Sequence, residues 1–345
     1  MKQVYIRVDG NEIIATGHVM RCLSIAEQIR KTGAEVIFVT ADDNPVSMIR
    51  ERGFSVDVLG TIWNDLDKET EIICDYVVSH KVKVMLLDSY FVTREYLQKL
   101  SHYTGIVYID DLNQFVYPVH TLINYGVFTE PKQYTDVYRS ERMNTRFFIG
   151  GQYIPLREEF AMGKYEVRET VRKVLITTGG TDLYNITGAL LQSVIKNSEL
   201  KALEYHVIVG CFNQNREKLY ELADESSNIH LHDNVKNMAE WMRSCDVAIS
   251  AGGTTLYELC ACGIPTICLE IADNQEGAIA WEENGYMLYA GNAYKNKDQC
   301  IRNSMDALLQ YTKDYDERKR RSVKMQSLVD GYGARRIAEY VVGLL

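Results

Sequence analysis

The chain has 345 residues, too many for one ordinary hydrophobic core and suited to two domains. Its 46% hydrophobic content is that of a soluble globular protein, and a net charge of -9 gives no electrostatic footprint for nucleic acid. Lys2, Arg7, Asp9 and Glu12 exclude a signal-peptide core, no apolar run is long enough to span a bilayer, and the eight scattered cysteines lack metal-site spacing, so a cytoplasmic protein with reduced thiols is expected.

In chain order, β-rich runs alternate with helix-length segments. VYIRVD (4–9) reads as a strand, and HVMRCLSIAEQIRKTG (18–33) as a helix ending at Gly33. EVIFVTA (35–41) is the next strand; VSMIRERG reads as a helix before SVDVLG, and 69–81 as an amphipathic helix. VKVMLLDSY (82–90), GIVYIDDL (105–112) and TLINYG (121–126) continue the pattern. It pauses near residue 160 and restarts with KVLITTGGTD (173–182), the helix ITGALLQSVIKNS, and strands at 204–210, 228–235, 246–253 and 265–272. Residues 315–345 read as a charged amphipathic helical tail.

This alternation predicts an α/β protein of two Rossmann-like domains, 1–160 and 161–345, with parallel sheets facing a central cleft. Working residues are then expected past the carboxyl ends of strands. His18 follows Gly17 at a helix start, where the positive end of the helix dipole disfavours an imidazolium. A neutral imidazole is what a general base needs, although a helix-start histidine can equally be inert. Arg21 is one turn on, placed to hold an anionic group or to pair with a surface carboxylate. Tyr90 can stack on a sugar, donate a hydrogen bond or sit in the core. Asp110 and Asp111 resemble a metal pair without a third ligand, so structural roles are expected and no metal.

Gly252 and Gly253 in SAGGTTLYEL follow a strand, and either hydroxyl of Thr254 or Thr255 can cap the helix that begins there. Such a turn offers N–H groups and the helix dipole to an anion, or is only a tight junction. Glu258, one turn in, can accept from a ribose diol. TTGGTD (177–182) is a second glycine turn that is neither a P-loop nor GxGxxG; two such turns favour a nucleoside diphosphate. Asn274 and Gln275 offer amides suited to sugar hydroxyl or acetamido groups.

The ordered pieces GHVMRC (17–22), LLDSY (86–90), IDD (109–111), GQYIPLREEF (151–160), TTGGTD, AGGTTLYEL (251–259) and ADNQ (272–275) cover nearly the whole chain. Together they resemble the MurG-like branch of the GT-B superfamily, and within it the pseudaminic-acid pathway UDP-sugar hydrolases. The resemblance implies a metal-free, cofactor-free enzyme. Its reaction would release UDP from UDP-2,4-diacetamido-2,4,6-trideoxy-β-L-altropyranose by inverting hydrolysis at the anomeric carbon. His18 would activate the water, and Tyr90 and Asn274 would line the sugar site; Gly17, Arg21 and Gln275, beside them in sequence, are further candidate substrate contacts. Gly179, Gly180, Thr181, Gly252, Gly253, Thr254 and Thr255 would hold the diphosphate, Glu258 the ribose, and the backbone near Val235 the uracil. The chain departs from the family pattern at Ala15, where glycine is usual, and at Leu183, Thr254 and Glu270. Ala15 bears most on the identity of the sugar. A UDP-sugar glycosyltransferase and a non-catalytic nucleotide-sugar-binding protein are the rival readings.

Overall fold

Buried β-branched runs and amphipathic helices in strict alternation leave one economical arrangement, a parallel sheet covered on both faces. The computed structural model, which describes residues 2–14, 16–141, 143–161, 163–275 and 277–345, has two such sheets. Ala15 lies outside the described residues. The chain divides into two units, Met1–Glu158 with Gly331–Leu345, and Glu159–Asp330. The last fifteen residues thus count with the first unit, not with the segment 161–345 in which the spacing places them.

The first unit holds β1 (Gln3–Val8), β2 (Glu35–Thr40), β3 (Ser55–Val58), β4 (Val84–Asp88), β5 (Gly105–Ile109), β6 (Thr121–Asn124) and β7 (Arg146–Ile149). They pair in the order β3-β2-β1-β4-β5-β6-β7, all parallel. The order reverses between β1 and β4, where Val8 is level with Asp88. Loops leaving the two strands there diverge and open a crevice. The helix Gly17–Lys31 follows β1 and buries Val19, Cys22, Leu23 and Ala26 against one sheet face. The helix Gly333–Gly343 packs on it and adds Ala334, Ile337, Ala338 and Val341 to the same core. The reason lies in the sequence: its apolar residues recur at helical spacing along one face. The edge strand β7 has four residues and was not anticipated.

The second unit holds β8 (Lys173–Thr177), β9 (Glu204–Ile208), β10 (Ile229–His232), β11 (Val247–Ala251), β12 (Thr266–Glu270) and β13 (Leu288–Asn292). Their order is β10-β9-β8-β11-β12-β13, again all parallel, so the reversal lies between β8 and β11. β13 was likewise missed by the strand pattern.

On β9 and β10 three histidines stack. The His206 ring lies 5.2 Å from that of His230 and 5.3 Å from that of His232, and Trp241 packs on both His206 and His232. His206 Nδ1 and His232 Nε2 are 3.0 Å apart, a bond that needs one ring to donate and the other to accept. Burial, and then the neighbouring His232, His230 and Lys173, push the His206 imidazole down to about 4.

Two stability measurements check this packing. Because His206 is depressed in the fold and ordinary (about 6.5) when unfolded, its contribution is whole above pH ~6.5 and is lost as pH falls toward about 4. The thermal midpoint of His206→Gln should therefore fall less steeply than wild type across that window; identical slopes would remove His206 as the cause. Ile337→Ala, in a fully buried position, should lose about 2–5 kcal/mol in urea unfolding despite lying over 300 residues from the start of the sheet it supports.

Candidate active site

At the β1/β4 reversal, His18 occupies the first turn of its helix and Asp88 ends β4. His18 Nδ1 lies 2.6 Å from Asp88 Oδ1. Arg21 donates Nε to Asp88 Oδ2 at 2.6 Å and Nη2 to Oδ1 at 2.5 Å. Burial by itself would raise the Asp88 carboxyl, but Arg21 and the His18 bond outweigh it and hold the group down at about 2. An ionised carboxylate only accepts. Arg21 Nη2 is also 3.0 Å from His18 Nδ1. A bare Nδ1 accepting from it would face the carboxylate lone pair to lone pair at 2.6 Å, so the proton sits on Nδ1 and is donated to Asp88. Nε2 is left as the basic nitrogen.

Arg21 therefore pairs with a carboxylate, as one sequence alternative had it, but with a buried one. Its Nη1 donates to Asp111 Oδ2 at 2.7 Å and to the Tyr125 hydroxyl. Tyr90 is 40% exposed, which removes the core reading. Its ring meets His18 edge-on at 4.4 Å, and its hydroxyl donates to Asp111 Oδ2 at 3.1 Å. Burial and the Asp111 charge push the Tyr90 phenol up to about 12, so it is a donor near neutral pH. Asp110 is buried and accepts from Leu112 N, Asn113 N and the Tyr134 hydroxyl, a structural role. Among the described residues no group of three or more His, Cys, Asp or Glu is arranged to hold a metal ion.

A small pocket is lined by His18, Asp88, Ser89, Tyr90 and Phe91 together with Asp9 and Ile14. Asp9, at the carboxyl end of β1, accepts from Arg7 Nη1 at 2.6 Å and from Ala41 N at 2.8 Å. Arg7 is fully buried and forks onto Glu69, which also takes Thr61 and Tyr96 hydroxyls. Arg7 lies in β1 and Asp9 just past its end, two residues on. The sequence placed Asp9 and Asp88 at strand ends but did not link either to His18. A carboxylate ending a buried strand is the signal that marks Asp88 in the sequence; its pairing with His18 needs the strand order.

In the second unit the two glycine turns straddle the β8/β11 reversal, and they differ. Helix Thr255–Cys262 has Thr254 at its N-cap with no side-chain cap bond, which corrects the expectation that a threonine hydroxyl caps it. Among the described residues the N–H groups of Gly253, Thr254 and Thr255 have no protein acceptor, whereas Gly252 N donates to Leu269 O. Gly252 is closely packed: a Cβ there would lie 3.2 Å from Ala278 Cβ, which would have to give by a few tenths of an ångström. Gln275 sits against this turn, its Nε2 beside Gly253 and its Oε1 accepting from Ile271 N. Glu258 lies in the first helical turn. Asn274 falls in the short helix Asp273–Gln275, its side chain outside what the structure describes.

The turn at Gly179, Gly180 and Thr181 precedes helix Ile186–Lys196. Here Asp182 accepts from Ile186 N and Thr187 N, and Asn185 accepts from Gly188 N. That helix start is filled by its own side chains. Gly179 has φ +81°, which suits only glycine, and Gly180 O accepts from Phe212 N. Val235 is half-buried in the loop after β10. Glu270 is buried and accepts from Gly277 N and Ala278 N, a clamp on the Asp273–Gln275 loop.

Asp88→Asn leaves the Arg21 guanidinium facing a neutral amide. Breaking a buried pair from one side costs about 3–5 kcal/mol, so urea unfolding should move to markedly lower concentration; a loss below about 1 kcal/mol would mean the pair is not desolvated as described.

Among the described residues no helix is long and apolar enough to cross a membrane. Residues 174–326 match the family model described as the glycosyltransferase family 28 C-terminal domain. An uncharacterized protein of Methanocaldococcus jannaschii is 28% identical over 279 residues, 77% of this chain, which spans only 55% of that protein. The spore coat polysaccharide biosynthesis protein SpsG of Bacillus subtilis is 23% identical over 97% of this chain and 96% of its own. The UDP-2,4-diacetamido-2,4,6-trideoxy-β-L-altropyranose hydrolase of Campylobacter jejuni is 24% identical over 82% of this chain and 97% of its own. The crystal structure of Acinetobacter baumannii MurG superposes with a TM-score of 0.72 over 99% of both chains at 13% identity. The chain therefore has the GT-B fold of two Rossmann-like domains, and its second unit is similar to the C-terminal domain of family 28 glycosyltransferases.

Proposed function

We propose that this chain is a metal-independent UDP-sugar hydrolase, acting on a UDP-2,4-diacetamido-2,4,6-trideoxyhexose in surface-polysaccharide biosynthesis. The observation that carries the proposal is the His18–Asp88 pair, which commits the Nδ1 proton to a carboxylate on a residue lining a small pocket. The similarity to the C. jejuni hydrolase supports the substrate class.

In this reading water donates a proton to His18 Nε2 as its oxygen attacks the anomeric carbon from the face opposite the phosphate. The anomeric C–O bond breaks, its electron pair leaves with UDP, and the sugar is released as the inverted free hydroxyl. His18 then returns the proton to solvent. General-base help of this kind contributes about 10²–10⁴-fold. Tyr90, whose hydroxyl proton is given to Asp111, offers the sugar its ring and a hydroxyl oxygen that accepts. The N–H groups at Gly253, Thr254 and Thr255, with the helix dipole, receive the charge that develops on the departing diphosphate. Glu258 takes the ribose, the backbone near Val235 the uracil, and Gln275 the substrate beside the Gly252–Gly253 turn. The Gly179–Thr181 turn contributes only its own loop N–H groups, since Asp182 occupies the helix start that follows it.

The match to a glycosyltransferase domain favours a second reading, in which the same base deprotonates an acceptor hydroxyl. Purified protein incubated with UDP-diacetamido sugars separates the two. UDP and free sugar without any acceptor are expected; release only when an acceptor is added would overturn the hydrolase. His18→Asn should lower turnover by about 10²-fold or more while UDP binding by calorimetry stays within about threefold.

A further inference from the structure

We infer that Arg21 is a positioning residue: by clamping Asp88 it fixes the His18 proton on Nδ1, and by holding Asp111 it ties Tyr90 into the same network. The inference rests on His18 being the base, and it moves Arg21 from the substrate to the machinery behind it.

Four of the five N–H groups of Arg21 have acceptors inside the first unit. Nε and one Nη2 hydrogen take the two oxygens of Asp88, and the two Nη1 hydrogens take Asp111 and the Tyr125 hydroxyl. The Tyr125 ring lies 5.4 Å from the guanidinium carbon, and the side chain is 12% exposed. A planar fork can span two carboxylates in this way, and an ammonium cannot. What remains for a substrate phosphate is one hydrogen pointed toward His18. From Asp111 the network returns to its start: the Tyr90 hydroxyl donates to the oxygen that Arg21 Nη1 holds, and the Tyr90 ring edge abuts His18. His18 is thus fixed at Nδ1 by one arm of Arg21 and against its ring by the other.

The consequence of losing Arg21 follows from burial. Asp88 is fully enclosed, and Arg21 is the main group opposing the desolvation of its charge. Without the guanidinium the carboxyl takes up a proton more readily. A protonated Asp88 donates to Nδ1, the imidazole proton moves to Nε2, and the nitrogen that should accept from water no longer can. This predicts a defect in turnover through the tautomer, with binding spared.

The test compares wild type with Arg21→Met and Arg21→Gln. Long-range ¹H–¹⁵N correlation of ¹⁵N-labelled protein at neutral pH reads the His18 tautomer directly. Wild type should show one Nδ1–H form, and both variants a mixture or the Nε2–H form. Turnover should fall by about 10²-fold, with KM and the Kd for UDP within about threefold. A wild-type tautomer in the variants overturns the inference. So does a Kd for UDP weakened more than about tenfold, which would make Arg21 a phosphate holder, and so does a loss of turnover that tracks thermal stability alone. If Arg21→Met does not fold, Arg21→Gln, which keeps hydrogen-bonding capacity, carries the same readings. If wild type releases UDP from no sugar, the base reading of His18 falls, while the tautomer still decides Arg21.

Discussion

Asp88 is shared. One buried carboxylate accepts from His18 on one side and from a two-pronged arginine on the other, and the chemistry of the first unit depends on that division. A carboxylate taken fully out of water is unstable unless it is paired and hydrogen-bonded. Arg21 supplies the compensating charge, and His18 gains a partner that can only accept. The arrangement is possible because strand order reverses beside β4, which brings the helix after β1 and the end of β4 to the same crevice.

Much of this was legible in the sequence. Parallel α/β architecture followed from alternation of buried runs and amphipathic helices, and the strand-end rule pointed to His18, Asp88, Tyr90 and the two glycine turns. What stayed hidden was which of these residues meet. His18 and Asp88 are seventy residues apart, and their contact depends on strand order, which no local pattern encodes. Arg21 shows the limit well. Helical spacing put it beside His18, but only the tertiary fold reveals that its donors are already committed. The edge strands β7 and β13 escaped; both are only partly buried, unlike the continuously buried inner strands.

The two glycine turns make a related point about likeness in sequence. Both follow a strand at a reversal of strand order and both lead to a helix. One helix start is filled by Asp182 and Asn185, and the other leaves three N–H groups unoccupied among the described residues. An aspartate two residues past the glycines closes the first turn; threonines in the corresponding stretch leave the second open. The side chain that follows a glycine turn thus decides whether its helix dipole faces a ligand or the protein's own carboxylate.

The helix Gly333–Gly343 completes the core beneath the helix that carries His18, although the whole of Glu159–Asp330 separates it in the chain from the rest of its unit. During synthesis every residue of the second unit is therefore added before the first has the residues it needs. Until residues 331–345 are in place, the His18 helix has part of its apolar face uncovered. In covalent order the second unit is an insertion near the end of the first, and a folded insertion closes the loop the last helix must span more cheaply than a flexible chain of the same length.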